Sequence, residues 1–278
     1  MTVFQRTEKG GVGPRVPEGD TIFRTARTLD RWLRDRVVTG AETRVAGLPV
    51  AALVGWRVEA VDARAKHLLV RFDSGAVLHT HMRMPGSWHV YRAGERWRKP
   101  GDQARLVLVA GDRVAVCFNA PVIELLAAHG ERVHPSLSRL GPDVLIEPLD
   151  LADVRRRASD RSPDLPVGEL LLDQQVVSGI GNIYRCESLF VQHVHPWTPR
   201  HLLDSDEIDA LVTTAATLMR GNLEPGRGWY KPYVYGRTGR PCCRCGHPIR
   251  SARLGEQART VYWCDTCQAP VTAGVTAG

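Results

Sequence analysis

The sequence predicts an α+β protein of several domains. An N-terminal β-sandwich or flattened barrel with one helix packed on it comes first, then a helical domain, then a C-terminal β-hairpin that holds zinc. Three observations predict this. Short β-rich segments joined by tight turns fill the chain before Leu140, and helical periodicity replaces them after it. Near the C-terminus, Cys242-x-x-Cys245 and Cys264-x-x-Cys267 frame eighteen residues, a spacing that suits two knuckles around one tetrahedral metal.

Residues 1–16 carry glycines and charges without apolar periodicity and read as a flexible tail. Pro17-Glu18-Gly19-Asp20 then precedes a helix on which Ile22, Ala26, Leu29 and Leu33 share one face. Acids before a helix complement its dipole, so ordinary capping chemistry accounts for the tetrapeptide by itself. Strands are expected at 63–72 and 76–82 across Asp73-Ser74-Gly75, and at 105–109 and 113–118 across Ala110-Gly111-Asp112. Gly141-Pro142-Asp143 opens the helical domain. Leu170, Leu171, Gln174 and Val177 continue a helical face into Ser178-Gly179-Ile180-Gly181-Asn182, and a second helix follows over 183–191. Asp204-Ser205-Asp206-Glu207 caps another helix that runs to about Met219, with Gly221 as its stop. Residues 223–233 read as a loop and 269–278 as a disordered end. The expected domains are therefore 17–139, 140–234 and 235–268.

With 278 residues and 43% hydrophobic content the chain can bury a sizeable core, which excludes a disordered protein. A net charge of +7, with arginines spread along the length, suggests a polyanionic partner, of which nucleic acid is the usual one. No apolar run approaches the roughly 20 residues that span a bilayer, and the N-terminus lacks the apolar core of a secretory signal, so a cytoplasmic protein without membrane contact is expected. Of seven cysteines, five lie between Cys242 and Cys267, while Cys117 and Cys186 stand alone in apolar contexts. That distribution indicates a metal site and two core thiols rather than disulfides.

Cys242, Cys245, Cys264 and Cys267 leave no open coordination position, so one structural zinc per chain is expected and Cys243 is a bystander. Arg250, Arg253 and Arg259 make the hairpin basic, either as a solvated face or as a grip on phosphate. The glycine turn before Ile183 leaves backbone N–H groups able to bind phosphate, and Asn182 either caps its own helix or reaches the same anion. Lys66, at the head of a strand, is an exposed edge charge or a cation turned into a cleft.

Taken together, these stretches resemble the formamidopyrimidine-DNA glycosylase and endonuclease VIII family of base-excision repair enzymes. Pro-Glu-Gly-Asp at 17–20, Ala65-Lys66-His67-Leu68-Leu69, Gly179-Ile180-Gly181-Asn182-Ile183-Tyr184-x-x-Glu187, Tyr235-Gly236-Arg237 and the cysteine pairs occur in the family's order and at about its spacings. The resemblance implies a β-sandwich, a helix-two-turn-helix domain and a zinc finger. It also implies a bifunctional glycosylase and abasic-site lyase that acts on damaged DNA as a monomer, without a diffusible cofactor. Pro17 matches the family's nucleophile, whose secondary amine forms a Schiff base with the opened sugar. Glu18 matches the acid/base, Lys66 the lysine of the elimination step, and Arg259 the finger arginine that grips phosphate. Asn182 and His81 match phosphate contacts. Met84 matches the side chain that fills the gap left by the extruded nucleotide, with a core filler as the alternative. Arg139 resembles a DNA-contacting arginine of endonuclease VIII.

Departures from the family pattern separate its branches. Asn119-Ala120-Pro121-Val122-Ile123-Glu124 stands where the formamidopyrimidine branch carries Asp-Pro-Arg-Arg-Phe-Gly, and 223–233 lacks that branch's Gly-Gly-Thr/Ser start. The chain is therefore expected nearer endonuclease VIII, with oxidised pyrimidines as lesions. The contrasting expectation is a catalytically silent binder of damaged DNA on the same scaffold. Pro17 carries no free amine in the sequence as written, and an amide nitrogen is not a nucleophile. A GTG codon at Val16 would be read as methionine if it were the start, and removal of that methionine would expose Pro17, so the chain is expected to begin at position 16 with 1–15 reflecting a misplaced start.

Overall fold

In the computed structural model, residues 17–224 and 231–270 are described. The expected tail at 1–16, most of the expected loop at 223–233 and the expected end beyond residue 270 lie outside them.

Helix α1 (Gly19–Leu33) begins two residues earlier than its apolar periodicity requires, and it buries Ile22, Ala26, Leu29 and Leu33. These side chains join one core with two four-stranded antiparallel sheets. The first has the order β1 (Gly40–Thr43), β6 (Ala104–Ala110), β7 (Arg113–Phe118), β5 (Ser87–Arg92). The second has the order β2 (Val58–Arg64), β3 (His67–Phe72), β4 (Val77–His81), β8 (Val122–Leu126). Strand β6 shows the period-2 logic of a sandwich: Ala104, Leu106, Leu108 and Ala110 are buried and the residues between them are half-buried.

The single strand expected over 63–72 is two strands. Arg64 pairs with His67, so the chain reverses at Ala65-Lys66, with Ala65 at a φ of 55°. No glycine, proline or asparagine marks this turn. It is held from outside instead, by the Asp143 carboxylate, which accepts from the Ala65 N–H at 2.5 Å.

The helical part comprises α2 (Leu151–Ser159), α3 (Val167–Leu170), α4 (Asn182–Val191) and α5 (Ser205–Leu223) around a core that includes Leu170, Ile180, Leu189, Leu211 and Met219. Two expectations are corrected. The helical face through Leu170 and Val177 does not form one helix, because α3 ends at Leu170 and the following backbone bonds elsewhere. Gly141 N–H donates to Gln174 O at 2.9 Å and Ser178 N–H to Pro142 O at 2.8 Å. Helix α5 also does not stop at Gly221. Glycine costs a helix interior about 1 kcal/mol, but the last turn is retained because Asn222 is buried and bonds Asp20 and Tyr184. At its start α5 has the expected capping box, Asp204 accepting from Glu207 N–H at 2.8 Å and Glu207 from Asp204 N–H at 2.9 Å.

Strands β9 (Arg250–Leu254) and β10 (Arg259–Trp263) form the C-terminal hairpin, whose core residues Val261 and Ile249 pack with Phe190 and Cys186 of α4. Cys117 and Cys186 are buried and free, as expected of core thiols.

Candidate active site and metal centre

The start of α1 inserts between the glycine turn and α4. Gly19 N–H donates to Gly179 O at 3.1 Å, and the Glu18 side chain reaches the first turn of α4, accepting from Ile183 N–H at 2.7 Å and Tyr184 N–H at 3.4 Å. Glu18 is only 1% exposed. The free, outward-facing helix terminus expected from the glycine turn is thus not what the fold contains, since the anion at this terminus is the chain's own Glu18. Gly181 makes the approach possible: a Cβ there would lie 2.3 Å from the Glu18 carboxyl carbon. Asp20, also buried, accepts from Tyr184 Oη–H at 2.8 Å and from the Asn222 amide, and so ties α1 to α4 and α5.

Lys66 turns inward from the β2–β3 turn and donates to the Ile180 carbonyl, which discards the exposed-edge reading. Burial raises the Glu18 carboxyl above the usual carboxylate range, against the nearby Lys66 cation. Burial likewise lowers the Lys66 ammonium, against Glu18 and with the help of Arg259. Burial therefore favours the neutral form of each group, the condition for proton transfer near neutral pH.

Asn182 does not cap its helix. Gly181 is the N-cap residue, the Asn182 amide donates to Thr260 O of β10 at 2.8 Å, and its oxygen accepts from the buried Arg185. The three hairpin arginines differ. Arg250 pairs with Asp265 at 3.1 Å and Arg253 donates to Ala258 O at 3.3 Å, whereas Arg259 makes no hydrogen bond or ion pair among the described residues. Pro17, Lys66, His81, Met84, Asn182 and Arg259 line one cleft of about 710 Å³, with Glu18 in the wall behind Gly181. Met84 is 58% exposed there, which removes the core-filler alternative. Arg139 does not line this cleft. It lines a neighbouring one of about 880 Å³ that shares His81, Arg83, Gln174 and Gln257 with the first.

Several contributors were not anticipated from sequence. Tyr235 lines the cleft because buried Glu187 accepts from the N–H groups of Tyr233, Val234 and Tyr235 at 2.7, 3.0 and 2.8 Å, fixing the entry to the hairpin. Glu187 stands in the quoted Gly179–Glu187 motif, but no local pattern shows which backbone it serves. Gln174 donates to Ile180 O at 3.0 Å and accepts from Gly179 N–H at 3.0 Å, bracing the glycine turn.

The Sγ atoms of Cys242, Cys245, Cys264 and Cys267 all lie within 4.8 Å of one another, and Cys243 is exposed. Two Sγ separations are 3.8 and 3.4 Å, between Cys242 and Cys267 and between Cys245 and Cys264. A tetrahedron with metal–sulfur bonds of about 2.3 Å has edges of about 3.8 Å, so the cluster can bind a metal ion with little movement.

The sandwich, the glycine turn braced by Glu18 and the four-cysteine hairpin define a class, and the chain belongs to the formamidopyrimidine-DNA glycosylase family. The family's N-terminal domain matches residues 16–121 and its H2TH domain residues 140–231. The chain is 39% identical over 266 residues to the probable endonuclease 8 2 of Streptomyces coelicolor, covering 91% of this chain and 94% of that protein. It is 35% identical over 263 residues to the DNA-(apurinic or apyrimidinic site) lyase Nei2 of Mycolicibacterium smegmatis, covering 91% and 99% of the two chains. Among solved structures, MutM (Fpg) of Thermus thermophilus superposes with a TM-score of 0.78 at 26% identity, covering 92% of this chain and all of that one. No helix among the described residues is long and apolar enough to cross a membrane.

Proposed function

We propose that this protein is a bifunctional DNA glycosylase and abasic-site lyase of base-excision repair, divided into a catalytic sandwich at 17–139, a helix-two-turn-helix domain at 140–234 and a zinc finger at 235–268. The observation that carries the reading is the convergence of Pro17, Lys66, Asn182 and Arg259 on one cleft with buried Glu18 behind it. Family membership adds the reaction class.

With Val16–Pro17 cleaved, the Pro17 nitrogen is a secondary amine. α-Amino groups titrate near 8, so a neutral, nucleophilic fraction exists at neutral pH. The amine attacks the anomeric carbon as the bond to the damaged base breaks, and ring opening gives a protonated Schiff base. That iminium withdraws electrons from the sugar, loss of the adjacent hydrogen follows, and β-elimination breaks the strand. Glu18 donates the proton for ring opening, a role suited to a carboxyl that burial keeps protonated to higher pH than usual. Lys66, kept partly neutral by the same burial, serves elimination. Arg259 holds the phosphate expelled by δ-elimination, and His81, Arg139 and Asn182 contact the backbone. Met84, exposed at the cleft, fills the space of the extruded nucleotide. Cys242, Cys245, Cys264 and Cys267 hold one structural zinc, which keeps the Arg259 hairpin folded.

Oxidised pyrimidines are the proposed lesions. Residues 122–126 form the edge strand β8, and the Asn-Ala-Pro-Val-Ile-Glu sequence at 119–124 has no Arg-Phe pair to offer an opposite strand. The endonuclease 8 names of the relatives support the same branch of the family. The partner is damaged DNA, bound by a monomer.

Borohydride reduction on an abasic oligonucleotide tests the proposal. A chain that begins at Pro17 is expected to become covalently trapped, whereas a silent DNA binder forms no adduct at all. Arg259→Ala is expected to weaken DNA binding and flatten its salt dependence by about one unit of log–log slope, because one phosphate contact is lost. An unchanged slope in fluorescence-anisotropy titrations would remove Arg259 from the interface.

A further inference from the structure

A second group of metal-ligating side chains lies outside the finger. His79 of β4 and Glu124 of β8 are direct cross-strand partners, and the turn after β8 brings His134 back onto them. The Glu124 Oε2 atom is 3.0 Å from His79 Nδ1 and 3.0 Å from His134 Nε2, and the three ligand atoms lie within 4.8 Å of one another. His79 is 1% exposed, so its position is fixed by the sheet. Its other nitrogen, Nε2, is 2.8 Å from His67 Nδ1. The proposed lyase chemistry uses none of these four residues.

We infer that His79, Glu124 and His134 form a binding site for a divalent transition-metal ion, with water or an anion as the fourth ligand. Two imidazoles and one carboxylate are a donor set suited to Zn²⁺, Co²⁺ or Ni²⁺, and three protein ligands leave one position open. That position faces the cleft of about 880 Å³, where Arg83 and Arg139 favour an anion beside the metal. Metal bonds of about 2.0–2.2 Å require tetrahedral donor spacings near 3.4 Å, so the two 3.0 Å contacts to Glu124 open by a few tenths of an ångström, while the two imidazole nitrogens, within 4.8 Å of each other, settle onto the same ion. His67 orients His79 from behind, the arrangement that holds metal-binding imidazoles in one tautomer.

The site has a built-in cost. Both imidazoles donate to Glu124 without metal, so each must vacate the nitrogen that ligates. His79 does so by moving its proton to Nε2 and donating to His67 Nδ1, which requires His67 to shift its own proton from Nδ1 to Nε2. His134 must protonate Nδ1, which faces the N–H groups of Ser136 and Leu137 at 3.3 Å each, and those two long bonds are lost. Affinity is consequently far below that of the four-thiolate finger, and a mild chelator removes this ion first.

The test uses the full chain with finger zinc in place, titrated calorimetrically with Ni²⁺. One additional equivalent is expected, weakened at least tenfold in both His134→Ala and Glu124→Gln. These two positions are chosen because neither side chain is part of the buried core, and circular dichroism confirms that the variants fold. Co²⁺ added in the same way is expected to give visible ligand-field bands without new thiolate charge-transfer absorption. Absence of an additional equivalent overturns the proposal, as does an equivalent that both variants bind unchanged, which would place the ion on other histidines.

Discussion

Cys264→Ser is expected to abolish DNA binding while leaving the sandwich and helical domain folded. Cys264 is buried, joins the core that packs the hairpin on α4, and supplies one corner of the four-thiolate cluster proposed to hold zinc. Structural zinc contributes on the order of 10 kcal/mol to modules of this kind, far more than the small apolar core of a two-stranded hairpin can replace. Loss of the hairpin removes Arg259 and the Thr260 carbonyl that holds Asn182, so one wall of the cleft disappears. Removal of the metal by a strong chelator should reproduce the effect in the unaltered protein. The check is one equivalent of zinc by elemental analysis, together with binding by electrophoretic shift. Active, DNA-binding protein that contains no metal would refute it.

Gly181→Ala is expected to suppress strand cleavage by about 10²–10⁴-fold, the range associated with a lost general acid–base. The added Cβ would fall 2.3 Å from the Glu18 carboxyl carbon and 2.6 Å from Oε1, so the Glu18 side chain must leave the α4 terminus. Overpacking of this sort costs about 1–3 kcal/mol, which the fold survives. The expected signature is a lowered kcat with DNA affinity largely preserved, read from single-turnover nicking beside anisotropy titrations. Wild-type turnover in this variant would show that the Glu18 position is unimportant.

What was legible in the sequence was local. The α1 face, the Gly75 and Gly111 turns, the Asp204 capping box and the cysteine spacing each announce themselves within a few residues, and each lies where expected. The Ala65-Lys66 turn was hidden because its stabilising partner, Asp143, is 78 positions away. The end of α5 is not encoded locally for the same reason, since the groups that hold Asn222 belong to α1 and α4. For the site, the identities of the cleft residues followed from ordered motifs, but their arrangement did not. That Glu18 occupies the α4 terminus depends on contacts spanning 165 residues. No pattern of period 2 or 3.6 encodes such a contact. The His79, Glu124 and His134 group was equally invisible, because strand register and a turn assemble it.

The proposed reaction requires Pro17, freed of its preceding residues, to be the nucleophile. Borohydride trapping on abasic DNA, followed by proteolysis and mass spectrometry of the cross-linked peptide, tests it most directly. The adduct is expected on the Pro17 nitrogen in a chain that begins there, with no efficient trapping of a chain shown to be intact through Val16. An adduct on Lys66, or equal trapping by the intact longer chain, would contradict it.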